Sequence, residues 1–426
     1  MKKVNFKKWS FFSFQGCLVL FILLGSVKLE AQTIRYVRTS ARGTGDGSSW
    51  ANASGNLQAM INASAIGDTV WVGAGTYKPT QDLFGNSLPL DPRSLTFYIK
   101  DGVNLYGGFA GTETNLSQRN ITINKTTLSG EIGNLDYYDN CFHVVVASAP
   151  SSGGIGVTID GFTIKSGFCD GNGAVMVNGN SISYNSGAGV YIVNGTNKLS
   201  NNNVSSNESK FGGSTGIRIV NGTNTLTGNT VSGNGARLGS GGGIGLFNGT
   251  NMLINNTISN NSAYPGFGAG ILASHCTNTF INNVVSGNNV QDGSGAGIRT
   301  SQCTNILIDN EFSYNNADYG AGFDSDGCIN TLIGNTFFNN FSAFLGGAGM
   351  YLVGSTSTVV NNVLYDNTAN KGAGIYTEGG NSTVINNTFW RNKANSGSGG
   401  IYTSGGINTL TNNIFWENTK GGSAYT

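Results

Sequence analysis

The sequence has 426 residues, of which 38% are apolar and only 11% charged, with 66 glycines and a formal net charge of +1. Without residues 1–31, which carry five lysines and one glutamate, 18 basic and 21 acidic residues remain, a net of −3. No basic patch is then left for a polyanion, so nucleic acid is disfavoured as a partner. Low charge with abundant glycine also fits disorder, but the 23 Phe and 16 Tyr recur at regular intervals. That regularity points to a folded repeat.

In chain order, Lys2, Lys3, Lys7 and Lys8 precede a short apolar run, Cys17–Gly25, and Ala31 offers a small residue at the cut. This pattern predicts a signal peptide over residues 1–31. The run is too short for a comfortable membrane span, and no later segment resembles one. Cys17 precedes the apolar core, which argues against a lipid anchor there. Residues 32–186 read as an N-terminal cap and irregular first coils. Strands are predicted at Ile34–Arg38, Gly67–Val72, Leu95–Ile99, Val103–Tyr106, Thr127–Leu128, His143–Val146 and Val157–Ile164. Leu57, Met60 and Ile61 stand at helical spacing and predict a short amphipathic helix, suited to blunting the open end of a stack of coils. Residues 78–94 read as a polar loop.

From Gly187 to the end, a G-x-G-apolar motif recurs every 25–27 residues. Its apolar residue is Val190, Ile217, Ile244, Ile271, Ile298, Phe323, Met350, Ile375 and Ile401. A second apolar column runs from Leu199 through Leu253 to Leu410, and a third from Val204 through Phe312 to Phe415. Asparagine holds register two residues before the third column, from Asn202 to Asn413. It does so again three residues after it, from Asn207 to Asn418. The segments between turns are short and β-branched or aromatic, so they read as strands. Each unit is too small to bury its own apolar face and must stack on its neighbours. Stacked in-register parallel strands place like residues about 4.8 Å apart, which allows amide ladders and apolar columns. A β-propeller would use longer units and needs no such asparagine columns. The fold class that follows is all-β, a right-handed parallel β-helix with a short N-terminal capping helix.

The phrases GTGDGSSWANA, GDTVWVGAGTYKPT, DGVNLYGGFAGTET, TLSGEIG and VTIDGFTI, in that order, resemble those of secreted pectin-lyase-like β-helix repeat proteins of Bacteroidota. The G-A-G-I and F-x-x-N elements are also similar to repeats of chlamydial polymorphic outer-membrane proteins. The resemblance covers nearly all of the chain after residue 31. It implies a three-sheet right-handed helix, export, and often attachment to the surface of a Gram-negative cell, but no single activity. Such relatives commonly end in a sorting or anchoring domain, whereas this chain stops at Gly421–Thr426 with no cap in view. The natural protein is therefore expected to be longer, with membrane anchoring supplied only by a missing C-terminal region.

Lyases on this fold need clustered acids for Ca²⁺ and a basic residue near a uronate, and hydrolases need neighbouring aspartates. The nearest approach is Asp324 and Asp326, on one side of a strand, with Arg299 in the preceding coil; its plain reading is a solvated salt bridge. Asp160 reads as a turn residue. His143 and His275 read as structural, and no metal site is expected. Cys276, Cys303 and Cys328 occupy one position in three consecutive coils and predict a thiol ladder; Cys141 and Cys169 are a separate candidate pair. An outward column changes from Ser205, Ser232, Ser259, Ser286 and Ser313 to Phe338, Tyr365, Trp390 and Trp416. Another becomes Tyr351, Tyr376 and Tyr402. These seven aromatics are the candidate ligand-binding strip, for a polysaccharide or a surface protein. The leading expectation is a non-catalytic, adhesin-like secreted or surface protein with no cofactor. A polysaccharide lyase or glycoside hydrolase, using Ca²⁺ in the lyase case, is the alternative.

Overall fold

Every coil from Gly187 onward turns through the same four short strands, which in the first of them are Val190–Val193, Thr196–Ser200, Asn203–Ser205 and Glu208–Ser209. Each pairs in parallel and in register with its equivalent in the next coil, as in Val190↔Ile217, Leu199↔Leu226, Val204↔Val231 and Ser209↔Ala236. The result is a parallel β-solenoid with walls of 11, 13, 12 and 11 strands, taken in order round the coil. The computed structural model describes residues 32–133, 137–421 and 423–425. The expected signal peptide, residues 1–31, lies outside the described residues.

The fourth wall corrects the three-sheet expectation. Its strands pair over only two residues, and its inward column is small: Ala236, Ala263, Val290 and Ala317. A two-residue strand shows no alternation, which is why periodicity did not mark it. The N-terminal third belongs to the same walls, since Ile34–Val37 heads the second wall and pairs with Thr69–Gly73. Within the predicted strand 157–164, Gly161 (φ +83°) separates Thr158–Asp160 from Phe162–Lys165, which belong to different walls. An antiparallel hairpin, Ala174–Val177 with Asn180–Ser183, interrupts the solenoid and was not anticipated. At the other end, Ser423–Tyr425 turns back antiparallel onto Asn418–Lys420 instead of opening another coil.

All four corners of the coils between Gly187 and Arg391 carry a residue in the left-handed region. The one before the first asparagine column is filled only by Asn, Asp or Gly, from Asn201 (φ 54°) to Asn412 (φ 52°), the residues that adopt this conformation most readily. The two glycines of the repeat motif serve different needs. Gly268 has φ +61°, whereas Gly270 has an ordinary backbone, but a Cβ on it would lie 2.4 Å from the carbonyl oxygen of Gly297 in the next coil. Close coil-to-coil approach, not turn conformation, fixes that second glycine.

The asparagine columns are ladders in which every polar atom is used. Asn283 accepts from the main-chain N–H and the side-chain amide of Asn256, both at 3.0 Å. Its own amide donates to Leu253 O and to Asn310 Oδ1, both at 2.9 Å. Each such residue therefore ties three coils together. A third ladder, Asn197 to Asn330 in the second wall, adds side-chain bonds between neighbouring coils.

One apolar core runs from Val37 to Phe389. Its columns include face-to-face phenylalanines, Phe312 on Phe337 at 4.5 Å and Phe389 on Phe415 at 4.8 Å. The predicted helix is present as Leu57–Ala63, with Asn56 capping Ala59 N. It buries Leu57, Met60 and Ile61 over the first coil, as a cap requires.

Candidate functional site

The outward face of the first wall aligns Arg299, Asp324, Tyr351, Tyr376 and Tyr402 in consecutive coils. The glycine-rich segments that return from the fourth wall lie over this row. Asp324 is completely buried, paired with Arg299, and has one carboxylate oxygen without a hydrogen-bond partner. Arg299 also donates to Ser294 Oγ at 2.6 Å and approaches half-exposed Asp326 at 3.5 Å. Its guanidinium rests 4.5 Å from the Phe267 ring centre. Burial holds the Asp324 carboxyl above the usual carboxylate range, against the opposing pull of Arg299. Tyr351 donates to Glu378 Oε2 at 2.6 Å, and burial followed by that carboxylate push its phenol well above its ordinary value. A Cβ on Gly320 would lie 2.7 Å from Asp324 Cβ, so the chain packs directly against the acid. This is a closed ion cluster, with Asp326 and Glu378 at its exposed rim.

The expected aromatic strip divides in two. Tyr351 and Tyr376 are 9% and 5% exposed, because the overlying segments cover them. Tyr376 lies under Gly346, and Tyr402 stacks on Tyr376 at 5.2 Å beneath Lys371. Phe338, Tyr365, Trp390 and Trp416 stand on the third wall, a different sheet, and point outward in register. Trp390 is 37% and Trp416 62% exposed.

The ladder geometry decides what these third-wall rings can offer. Phe338 and Tyr365 stack at 5.0 Å with 3° between their planes, and Tyr365 and Trp390 sit 5.9 Å apart at 33°. Stacked rings spend their faces on each other and show their edges to solvent. Beside them runs a column of charges at the corner after the wall. Arg391 holds Asp366 through two hydrogen bonds and lies 4.1 Å from the Trp390 ring centre; Glu417 accepts from Trp390 Nε1 at 3.3 Å. Sequence reasoning missed Asp366, Arg391 and Glu417, although all three stand two residues after the third apolar column and so had to stack.

Neither histidine joins the ion cluster or the third-wall aromatics. His143 is fully buried, shares a hydrogen bond with Gly187 O through Nδ1, and has its pKa lowered by burial to about 4. His275 occupies a left-handed corner at φ 56°. Cys276, Cys303 and Cys328 form the expected ladder: Sγ of Cys303 and of Cys328 each accept the main-chain N–H of the cysteine one coil earlier, at 3.3 and 3.2 Å. Cys141 and Cys169 are buried free thiols. Among the described residues no group of three or more His, Cys, Asp or Glu is placed to hold a metal ion. Among them, too, no helix is long and apolar enough to cross a membrane.

Residues 168–293 and 243–415 match the family described as a right handed beta helix region. No curated protein matches the chain. Among solved structures the chain is similar to PfbA, a surface adhesin of Streptococcus pneumoniae, at 14% identity over 85% of this chain and 88% of that one, with a TM-score of 0.45. It is similar to the A-module of the Azotobacter vinelandii mannuronan C-5 epimerase AlgE6 at 14% identity over 84% and 94%, with a TM-score of 0.43. Pectate lyase Pel9A aligns at 12% identity over 90% and 79%, with a TM-score of 0.30.

Proposed function

This chain belongs to the right-handed β-helix family, and on that premise we propose that it is a non-catalytic, adhesin-like protein that acts outside the cell. Its working surface in this reading is the third wall around Trp390 and Trp416, and its ligand is a partner protein before a glycan. The observation that carries the proposal is the outward aromatic column of the third wall, in which Trp390 is 37% exposed on a coil stacked on both sides and is flanked by Asp366, Arg391 and Glu417. Exposed tryptophan beside arginine is the composition of binding hot spots. Edge-on presentation suits insertion between partner side chains better than stacking beneath a pyranose. The basic, apolar leader of residues 1–31 supports export to the outside or outer surface of a Gram-negative cell.

Beads coated with the full chain test the proposal on a panel of epithelial and bacterial surfaces. Wild-type beads are expected to adhere, and a Trp390→Ala/Trp416→Ala double variant to lose adhesion, as does mild protease treatment of the target surface. Adhesion equal to wild type in the double variant would overturn the site. A polysaccharide lyase or hydrolase is the second reading. It draws on Asp324, whose raised pKa beside Arg299 is the kind of perturbation that gathers at functional sites. In that reading Ca²⁺ would have to be held by Asp326 and Glu378 at the rim.

A further inference from the structure

Inserted segments that stand off a solenoid can wall a cleft against it. The N-terminal third has such a place. The loop 78–94, the capping helix and Asn178 at the tip of the hairpin border an open cleft of about 680 Å³, within the range of roughly 300–1,000 Å³ typical of small-ligand sites.

Its floor is a chain of amides. Buried Gln58 donates to Tyr98 O and to Asn62 Oδ1, both at 2.9 Å, and Asn62 donates to Gln81 Oε1 at 3.0 Å. The chain ends at Gln81, whose amide N–H groups have no partner among the described residues. From the opposite side Asn178, held at φ 50°, donates to Ser148 O at 2.6 Å and to the Tyr98 hydroxyl at 3.1 Å. Its side-chain carbonyl has no partner there either. The cleft thus presents a fixed donor, a fixed acceptor and a hydroxyl. Its charges are already committed: Lys100 donates to Asn62 O and Ser64 O, and Asp101 accepts from Ile155 N and Gly156 N. Ile66, Leu83 and Phe84 supply its apolar surface. Phe84 is 67% exposed on a turn that Asp82 fixes by accepting from Phe84 N and Asn86 N.

We propose that this cleft binds a neutral saccharide unit, with a ring face against Phe84 and its hydroxyls on Gln81, Tyr98 and Asn178. A site whose charges are spent within the chain, combining a free aromatic face with unspent amides, matches a sugar, which has an apolar face and a rim of hydroxyls. In contrast to the third-wall aromatics, the Phe84 ring takes part in no stack among the described residues. The site is independent of the adhesive face proposed above.

The test is a glycan array of neutral and acidic oligosaccharides probed with the full chain, followed by calorimetric titration of the best neutral binder. Binding of at least one neutral oligosaccharide is expected, weakened about tenfold or more by Gln81→Ala and by Phe84→Ala. Trp390→Ala/Trp416→Ala is expected to leave it unchanged, which separates this site from the adhesive face. Circular dichroism and melting of each variant establish that the exposed substitutions leave the fold intact. Absence of neutral binders, preference for acidic glycans, or binding indifferent to both cleft substitutions would each overturn the proposal.

Discussion

Replacing Asn283 by Ala in the middle of the solenoid removes one rung of a buried ladder. Asn256 then loses the acceptor shared by its main-chain N–H and its side-chain amide, and Leu253 O loses its donor. Asn310 Oδ1 keeps the main-chain N–H of residue 283. The buried Asn256 N–H is left without a partner, at about 1–3 kcal/mol, and the further hydrogen bonds of the rung are lost at about 0.5–1.5 kcal/mol each, the Asn256 amide keeping Leu226 O. Allowing for some relaxation and water entry, the expected loss is about 3–5 kcal/mol. An outward substitution in the same coil, Thr279→Ala, is expected to stay within about 0.5 kcal/mol. Asn283→Asp sharpens the argument. A carboxylate can accept from Asn256 but can donate to neither Leu253 O nor Asn310 Oδ1, so burial raises its folded pKa above the unfolded value. Its penalty therefore grows as pH rises from 4 to 7. Urea unfolding followed by circular dichroism, with the pH series for the aspartate, measures all three. A change below about 0.5 kcal/mol for Asn283→Ala would refute the view that saturated ladders hold the coils together.

Gly270→Ala forces a Cβ against Gly297 O and is expected to cost at least about 2 kcal/mol by urea titration, although its backbone conformation suits alanine. His143 is held neutral, with a folded pKa of about 4 against an ordinary 6.5. Its contribution is complete above pH 6.5 and is lost as pH falls toward 4, on the order of 3 kcal/mol in all. His143→Gln is expected to flatten that part of the stability–pH curve. Burial pushes the Cys141 thiol up to about 12 and raises Cys169 as well. Both should resist iodoacetamide at pH 8 in native protein and react on denaturation, read by mass spectrometry.

The sequence disclosed what is repeated and concealed what occurs once. Nine registered coils made the columns at Val190, Leu199 and Val204 and the asparagines at 202 and 207 visible, because stacking repeats the same constraint in every coil. Corner residues such as Asn201 were legible for the same reason. The fourth wall escaped because two-residue strands carry no alternation. Burial of Tyr351 and Tyr376 escaped because outward from a wall is not the same as exposed when a return loop lies over it. The cleft could not be read at all. Gln81, Tyr98 and Asn178 meet only through the loop 78–94 and a hairpin, and neither repeats.

The claim that this β-helix binds rather than cleaves is tested most directly by product release. The full chain is incubated with neutral and acidic polysaccharides, with and without Ca²⁺, and unsaturated and reducing ends are measured. The account predicts no release above a boiled control under conditions where coated beads adhere. Release that Asp324→Asn or Arg299→Lys abolishes would contradict it and would make the buried ion cluster of the first wall an active site.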